Sequence, residues 1–591
     1  MHPPKALRFL LWLWLALVPE GSPLVAAGQS RPNVVVLLAD DAGWGDYSRS
    51  GNPHVATPRI DSIAASGASL ERFYVCPYCS PTRAEFLTGR YYPRTGVRGV
   101  DTGRERLNLS EKTIADAFQA AGYATGVFGK WHNGAQWPYH PMARGFDEFF
   151  GYTTGHWGEY FNPALERQDK VERTAGYIVD ACTERALDFI KRNKERPFFC
   201  YIPFTTPHIP WAVPSEYWER FKDKPLPDTA RCALAMMENQ DWNVGRILDQ
   251  LRELGLEQNT VVVYFSDNGP NTLRWNGGMK GIKGSTDEGG VRSVCYLKYP
   301  PKIPGGRVVE KIASGLDLLP TLTALAGIGR VGELPLDGVD LSPLLASEGG
   351  AWPERMLFST RAGLVSVRTQ THRMDAEGNL FDMVQDPGQR TPIQAKEPEL
   401  ARRLGEAVAA WRKEVLGEVG GAASPKKPLP AVDQRWIPVG YREFPVTRLA
   451  AGDGRPEGGV RRSSPFPNCS YFTQWKSAKD RMVWLVEVHT SGRYRVSVDY
   501  TCPEADAGSR VQLAFGQARL AGVVSPGWDP PFSRNQDTLP RGAESPMKEF
   551  RRLELGSVEL EAGQGPLELK ATEIPGNMVM DVFQVTLTLE R

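Results

Sequence analysis

Residues 33–39 read Asn-Val-Val-Val-Leu-Leu-Ala, a continuous run of apolar and β-branched side chains. Runs of this kind are typical of central parallel strands that are buried on both faces of a sheet. The run ends in Asp40-Asp41, so two adjacent carboxylates follow the strand directly. A second run, 260–266, has the same design and ends in Asp267-Asn268. Because ligand sites of open α/β sheets lie at the carboxyl ends of strands, we expect these two acidic ends to meet.

Helix-like and strand-like segments alternate between these two runs. The pattern predicts helices at 58–65, 110–121, 177–193 and 230–255, and strands at 123–128 and 197–204. We expect Ser110 to cap the second of these helices. Alternating strands and helices predict an α/β fold with a large, mostly parallel sheet sandwiched by helices.

The pattern changes after about residue 352. Short strands at 356–358 and 364–368 and a helix at 398–415 predict a small C-terminal α+β subdomain. A stretch rich in Gly, Ala, Pro and Lys follows and is typical of a linker. Beyond it, alternating segments separated by turn residues predict an appended all-β sandwich of the jelly-roll type. These segments are 482–488, 492–500, 511–515, 566–571 and 579–589.

The N-terminus carries Lys5 and Arg8, then an apolar run at 9–18 that is too short to span a bilayer. It predicts a signal peptide, and hence a secreted, periplasmic or extracellular protein. No other stretch predicts a membrane span. The parts that we expect are a signal peptide at 1–27, an α/β domain at 28–345, its C-terminal subdomain at 346–417, a linker at 418–432 and a β-sandwich at 433–591.

Charge and cysteine content limit the classes of partner. A net charge of +1 over 591 residues provides no overall field that would attract nucleic acid or an anionic membrane surface. Any anion must therefore be recognised locally. The eight cysteines permit disulfide bonds in an exported chain, although their spacing does not define a pairing.

One motif points to a particular chemistry. Residues 79–83 read Cys-Ser-Pro-Thr-Arg, and Leu-Thr-Gly follows at 87–89. With proline two positions and arginine four positions after the cysteine, the motif resembles that of the formylglycine-dependent sulfatases, arylsulfatase-like members of the alkaline phosphatase superfamily. The resemblance implies a sulfuric ester hydrolase. It also implies that a formylglycine-generating maturation enzyme oxidises Cys79 to an aldehyde, whose hydrate is the nucleophile.

Two neighbours of Cys79 bear on this interpretation. Arg83 lies one helical turn along if a helix starts near Ser80, and its fork would stabilise the negative charge that develops on the hydrate. Cys76 forms a C-x-x-C spacing with Cys79, so a disulfide or redox pair is an alternative. That alternative leaves Pro81 and Arg83 unexplained.

The two acidic strand ends predict a metal site. Carboxylate and amide oxygens suit Ca²⁺ or Mg²⁺ rather than zinc. The resemblance implies Ca²⁺, with Mg²⁺ less expected, bound also to the nucleophile at position 79. Zinc phosphatases of the superfamily have histidine after the second aspartate, where this chain has asparagine. The predicted ligands are Asp40, Asp41, Cys79, Asp267 and Asn268.

Lys130 and His132 follow one apolar strand and His208 follows another, whereas Lys283 lies in a glycine-containing loop. The resemblance implies that Lys130 neutralises the nucleophile and the sulfate, and that His132 hydrogen-bonds the hydrate. It implies that His208, in Thr-Thr-Pro-His, contacts the bridging oxygen and protonates the leaving group. Lys283, in Gly-Ile-Lys-Gly, matches the second sulfate-binding lysine, and Lys280 is an alternative. Lys130, His208 and Lys283 would bind the substrate.

The sequence therefore predicts a sulfatase, with a sulfated small molecule or glycan as substrate. Tryptophans in loops (Trp157, Trp211 and Trp218) and the β-sandwich favour a sulfated glycan. In the sandwich, Trp475 or Trp528 either stacks on a sugar or belongs to the core. Two other functions stay open: a formylglycine-dependent phosphonate or phosphate ester hydrolase, and a non-catalytic glycan-binding protein on a sulfatase scaffold.

Overall fold

The computed structural model describes residues 31–347, 352–417, 433, 435–533 and 536–590. The signal peptide expected at 1–27 and the linker expected at 418–432 lie outside the described residues. Within the described ranges, no helix combines the length and the apolar character needed to cross a bilayer.

The first part of the chain alternates strands and helices. The strands are β1 (Asn33–Ala39), β2 (Ala68–Leu70), β3 (Phe73–Tyr74), β4 (Ala124–Lys130), β5 (Glu148–Tyr152), β6 (Ala164–Arg167), β7 (Lys170–Arg173), β8 (Phe198–Pro203), β9 (Thr260–Ser266), β10 (Arg292–Ser293), β11 (Cys295–Lys298), β12 (Arg307–Val309) and β13 (Ala313–Ser314). The helices are α1 (Pro58–Ala65), α2 (Cys79–Thr88), α3 (Ile114–Ala120), α4 (Ile178–Arg192), α5 (Ser215–Trp218), α6 (Asp228–Glu253), α7 (Glu288–Val291), α8 (Leu318–Ala326) and α9 (Ser342–Ala346).

Ten of these strands form one sheet in the order β12-β2-β11-β9-β1-β8-β4-β5-β6-β7. The central strands β9, β1, β8, β4 and β5 are all parallel to their neighbours within that group. Antiparallel pairs occur towards the edges, where β11 pairs with β9 and β2, and where β5, β6 and β7 follow one another. The short strands β10, β3 and β13 form a separate sheet.

Strand β1 divides the core because its side chains point alternately to the two faces of the sheet. Val35 and Leu37 pack on one side with residues of α1, α4 and α6. Val34, Val36 and Leu38 pack on the other side with residues of α2, α3, α8 and α9. The sheet is thus covered by helices on both faces, which confirms the expected α/β class.

The start of α3 differs from the expectation. The helix begins at Ile114, and its cap is Thr113 rather than Ser110. The Thr113 side chain accepts a hydrogen bond from the Asp116 backbone N–H, and the Asp116 side chain accepts one from the Thr113 N–H. This reciprocal capping box satisfies two backbone N–H groups at the start of the helix. A cap at Ser110 would leave both groups without these partners.

A four-stranded antiparallel sheet follows, with β14 (Leu357–Arg361), β15 (Leu364–Arg368), β16 (His372–Met374) and β17 (Leu380–Asp382). Helix α10 (Pro398–Trp411) packs on this sheet through Leu404, and a π-helical turn at Arg412–Leu416 continues it. This is the small α+β unit that the sequence predicts.

The C-terminal part contains two six-stranded sheets around one apolar core. Its strands are β18 (Ile437–Val439), β19 (Val446–Ala450), β20 (Arg455–Glu457), β21 (Arg461–Arg462), β22 (Phe472–Thr473), β23 (Arg481–Val488), β24 (Gly492–Thr501), β25 (Arg510–Phe515), β26 (Ala518–Val523), β27 (Arg551–Leu560), β28 (Gly563–Glu573) and β29 (Asp581–Leu589). The two sheets form the all-β sandwich that the sequence predicts.

The two tryptophans considered for sugar stacking in the sandwich differ in burial, since Trp475 is buried and Trp528 is partly buried. Trp475 is completely buried in the sandwich core. One face of the Trp528 ring is covered by the guanidinium of Arg551, 3.4 Å from the ring centroid. The core reading is therefore the correct one for Trp475.

All eight cysteines fall within the described residues, and each is a buried free thiol. The disulfide bonds that export would permit are thus not formed in this part of the chain. Cys76 and Cys79 in particular are not bonded to each other, which removes the support for a disulfide between them.

Candidate active site

The predicted site residues meet at the carboxyl end of the central strands. Asp40 and Asp41 follow β1, Asp267 follows β9, and His208 comes shortly after β8. Lys130 is the last residue of the neighbouring strand β4. Since these four strands are adjacent and parallel, their carboxyl ends bring together residues that are far apart in the sequence.

Helix α2 approaches this edge with its first residue, Cys79. One turn later, Arg83 donates hydrogen bonds to Oδ2 of Asp267, from Nη2 at 2.8 Å and from Nε at 3.3 Å. Its Nη2 also lies 3.7 Å from Oδ1 of Asp40, and its Nη1 donates to the carbonyl of Lys130 at 2.8 Å. Arg83 therefore ties the helix to the ends of three strands.

Asp41 lies at the centre of a second group of contacts. Its Oδ1 is 2.6 Å from Nζ of Lys283 and accepts a hydrogen bond from Nδ2 of Asn268 at 2.8 Å. Its backbone has a positive φ of 67° and donates its N–H to Oδ1 of Asp267 at 3.0 Å. Burial raises the pKa of Asp41, but Lys283 and His208 outweigh burial and hold that pKa well below its usual range.

Asp40 and Cys79 complete the acidic cluster. Lys130 donates from Nζ to Oδ2 of Asp40 at 2.7 Å, and both side chains are completely buried. One oxygen each of Asp40 and Asp267 and the Sγ of Cys79 all lie within 4.8 Å of one another. Burial raises the pKa of the Cys79 thiol above its usual range, so at neutral pH it is an uncharged and weak nucleophile.

The cluster also contains oxygens that suit a cation. Oδ1 of Asp40, Oδ2 of Asp41 and Oδ1 of Asn268 are buried and have no hydrogen-bond partner. Burial and the Asp40 carboxylate raise the pKa of Asp267 to about 6, although Arg83 opposes them. Buried unpaired oxygens and crowded carboxylates are costly unless a positive charge joins them. The four residues therefore fit a hard, oxygen-preferring divalent cation.

The two histidines have defined tautomers. Nδ1 of His208 lies 2.7 Å from the carbonyl of Ile209, so it carries the proton, and Nε2 faces Oδ2 of Asp41 at 3.6 Å. Burial lowers the pKa of His208 to about 3. Nε2 of His132 lies 2.8 Å from the carbonyl of Val100 and likewise carries the proton, while Nδ1 is buried without a partner. Burial and Lys130 lower the pKa of His132 well below its usual range.

The structure distinguishes the two lysines of the loop before α7. Lys283 contacts Asp41 and is 19% exposed, whereas Lys280 is 43% exposed. Lys280 instead lies 3.4 Å from Asp287 and 3.8 Å from Asp375. Lys283 is thus the lysine of this loop that reaches the cluster.

Sequence reasoning missed two residues beside the cluster. The ring of His156 stacks on that of His208, with centroids 5.5 Å apart, and Glu544 of the sandwich contacts His156. The position of His156, shortly after β5, resembles that of His208 after β8 and was a usable signal. No local signal connects Glu544 to a loop so distant in the sequence.

Comparisons with known proteins identify a family. The sulfatase family model matches residues 32–328. The chain is 34% identical over 387 residues to N-acetylgalactosamine-6-sulfatase of Canis lupus familiaris, covering 59% of this chain and 72% of that protein. It is 34% identical over 439 residues to arylsulfatase A of Homo sapiens, covering 66% and 84%. The solved structure of Ps i-CgsB in complex with k-i-k-neocarrahexaose aligns with a TM-score of 0.60 at 27% identity, over 65% of this chain and 93% of that chain.

By class, the protein is a sulfuric ester hydrolase. The chain belongs to the sulfatase family, since the family model spans half of its length and the similarity extends over most of each relative. The resemblance inferred from the motif at 79–83 is thereby confirmed.

Proposed function

We propose that the chain hydrolyses sulfate esters of a glycan with formylglycine made from Cys79 and a bound Ca²⁺. The ligands would be Asp40, Asp41, Asp267, Asn268 and the modified residue 79. The observation that carries the proposal is the set of three buried oxygens without a hydrogen-bond partner, on Asp40, Asp41 and Asn268, together with the grouping of Asp40 and Asp267 with Cys79. An all-oxygen set of protein donors favours Ca²⁺ over zinc and, because Mg²⁺ demands a stricter geometry, over Mg²⁺.

The two groups would act together: formylglycine supplies an oxygen nucleophile, and the cation neutralises negative charge on it and on the sulfate. Lys130 and Lys283 add fixed positive charge on either side, through Asp40 and Asp41 respectively. Arg83 holds Asp267 and the first turn of α2 in place. Preorganised charges of this kind are usually the largest contribution to catalysis.

The histidines would move protons at stated atoms. His208 donates Nδ1–H to Ile209, so Nε2 is the atom that would carry a proton to the leaving oxygen. Burial lowers the pKa of His208 to about 3, so the negative charge of a bound sulfate ester would have to raise that pKa for Nε2 to be protonated. His132 donates Nε2–H to Val100, which leaves the Nδ1 lone pair to accept a proton from the nucleophile's hydroxyl. The two rings thus have separate roles, acid and base.

A glycan is the substrate class that we propose. A cavity of about 390 Å³ lies between the strands β5–β7 and the sandwich, and the aromatic rings of Trp157, Phe444, Phe550 and Phe583 contribute to its wall. Aromatic rings bind the CH faces of sugars. The oligosaccharide bound by Ps i-CgsB and the sugar named in N-acetylgalactosamine-6-sulfatase support the same class.

The proposal includes two steps before activity. A formylglycine-generating enzyme would oxidise Cys79, which becomes deeply buried once the chain folds. The apolar run at 9–18 would direct export from the cytoplasm.

Mass spectrometry of the peptide containing residue 79 tests the maturation step. Co-expression with a formylglycine-generating enzyme should give an aldehyde at that position, and the matched C79A variant should be inactive. A panel of sulfated oligosaccharides, an aryl sulfate and an aryl phosphonate monoester then tests the substrate class. Faster turnover of the phosphonate than of every sulfate would reject sulfate esters as the substrate.

Calcium binding has a readout besides activity. Ca²⁺ should raise the melting temperature of the chelator-treated protein, because a ligand that binds only the folded state stabilises it. The shift should be absent in D41N and present in D188N, since Asp188 is an exposed acid on α4. An equal shift in both variants would contradict the proposed site.

A further inference from the structure

The sandwich reaches the loops that surround the active site. A segment at 536–547, between β26 and β27, lies against the loops that come after β5 and β8. The backbone N–H of Thr538 donates to the carbonyl of Trp211 at 2.8 Å. Nη1 of Arg541 donates to the carbonyl of Gly158 at 2.8 Å. These contacts hold the segment against the two loops that carry His156 and His208.

Glu544, in this segment, contacts His156. Its Oε2 lies 2.9 Å from Nε2 of His156, and both residues are more than nine-tenths buried. Burial raises the pKa of Glu544, but His156 and His208 outweigh burial and lower that pKa, so the group is a carboxylate. Two lone pairs at 2.9 Å would repel each other, so Nε2 of His156 carries a proton. Glu544 therefore favours a proton on Nε2 of His156, through a close charged contact whose angle lies outside that of a hydrogen bond.

The ring of His156 in turn stacks on the ring of His208. The two rings are nearly parallel, at 25°, with centroids 5.5 Å apart. The ring of His208 also donates its Nδ1–H to Ile209 and lies close to Asp41. With Glu544 on the far side of His156, the imidazole of His208 is held between a ring and the acidic cluster.

The sandwich also contacts two backbone carbonyls beside these histidines. The thiol of Cys469 donates to the carbonyl of His156, with a sulfur–oxygen distance of 2.8 Å. Nδ2 of Asn468 donates to the carbonyl of Val100 at 3.2 Å, the same carbonyl that Nε2 of His132 contacts. Asn468 and Cys469 are adjacent in the chain, whereas Glu544 belongs to the segment between β26 and β27, so two parts of the sandwich contact these loops.

We infer that Glu544 is a positioning residue for sulfate-ester hydrolysis: it orients His156, which holds His208 for proton transfer to the leaving oxygen. The inference rests on the proposed function, in which His208 is the acid. The sandwich is then part of the active site rather than a separate module. Loss of a residue that orients a catalytic ring typically lowers activity by about 10- to 100-fold.

Leaving-group dependence separates positioning of an acid from a general structural effect. The phenolate of 4-nitrophenyl sulfate leaves without a proton at neutral pH, whereas a sugar alkoxide needs one. In the matured protein, E544Q should lower kcat for a sugar sulfate by about 10- to 100-fold, with little change in KM. Its kcat for 4-nitrophenyl sulfate should fall much less.

Two further variants make the test robust. H156Q should reproduce the E544Q pattern, and the double variant should fall no further, because the two residues act in one chain. H156Q also carries the test if E544Q does not fold. The matched control is D433N, since Asp433 is a buried sandwich-side carboxylate that secures Arg435 against the carbonyl of Gly103, at a different contact between the two parts. It should keep both rates.

The outcomes distinguish the two proposals. A wild-type protein that hydrolyses neither ester overturns the proposed function and this inference with it. A wild-type protein that hydrolyses both esters, combined with equal losses on the two esters in E544Q and H156Q, overturns only the positioning role. Unchanged rates on both esters in E544Q and H156Q also overturn only the positioning role.

Discussion

Arg83 and Asp267 form an ion pair in which both side chains are completely buried, with Nη2 and Oδ2 2.8 Å apart. The pair joins the helix that carries Cys79 to the end of a central strand. Asp40, 3.7 Å from the same guanidinium, is a second carboxylate that depends on this positive charge. The pair therefore supports both the fold and the arrangement of the cluster.

Replacement of Arg83 by methionine should destabilise the protein by about 3–5 kcal/mol, because it leaves buried carboxylates without their partner. Denaturant unfolding, followed by tryptophan fluorescence, measures this loss. The control is R402M, because Arg402 is an exposed arginine on α10. This variant should unfold at the wild-type midpoint. Coincident unfolding curves for the two variants would contradict the structural role of Arg83.

Lys283 and Lys280 should differ sharply in their effect on turnover. K283A removes the cation beside Asp41 and should lower kcat by about 10²- to 10³-fold, the usual loss for one group that stabilises a transition-state charge. K280A alters a half-exposed side chain that contacts Asp287 and Asp375, so it should change kcat little. Steady-state kinetics on one sulfate ester compare them. A larger loss in K280A would reverse the assignment.

The fully buried strands were the most predictable elements. The bounds expected for β1 and β9 match the structure, because each run is entirely buried and ends abruptly at an aspartate. The start of α3 was not predictable to the same degree, because Ser110 and Thr113 are both good capping residues. The reciprocal contact with Asp116 decides between them, and it is visible only in three dimensions.

The same distinction applies to the site. Asp40 and Asp267 follow strands, Lys130 ends one, and the parallel sheet brings these strand ends together. Glu544 could not be predicted in this way, since its contact with His156 depends on how the sandwich packs on the α/β part. Local patterns therefore locate residues that one sheet positions, but not residues that a second unit supplies.

Glu288 should make stability depend on pH in the acid range. Burial raises its pKa, but Arg368 and Arg373 outweigh burial and lower that pKa to about 2, from an ordinary value of 4.5. A carboxyl whose pKa is lower in the folded state than in the unfolded state stabilises the protein at pH values above its unfolded-state pKa. That stabilisation is lost as pH falls from about 4.5 towards 2. The shift corresponds to about 3 kcal/mol at neutral pH.

E288Q should therefore be less stable than the wild type at neutral pH, and the difference should shrink between about pH 5 and pH 2. Free energies of unfolding at a series of pH values measure it. E399Q, at an exposed position on α10, is the control and should follow the wild-type pH profile. A difference between E288Q and the wild type that stays constant down to pH 2 would show that ionisation of Glu288 is not its cause.

The thiol content reports both maturation and the absence of disulfides. All eight cysteines are free thiols in the structure, so removal of Cys79 by oxidation to formylglycine leaves seven. Denatured protein, titrated without reductant, should give seven thiols when it is matured and eight when the maturation enzyme is omitted. C79A should give seven in both cases and is the matched control. A matured protein with five thiols or fewer would show that at least one disulfide forms, contrary to the buried free thiols of the structure.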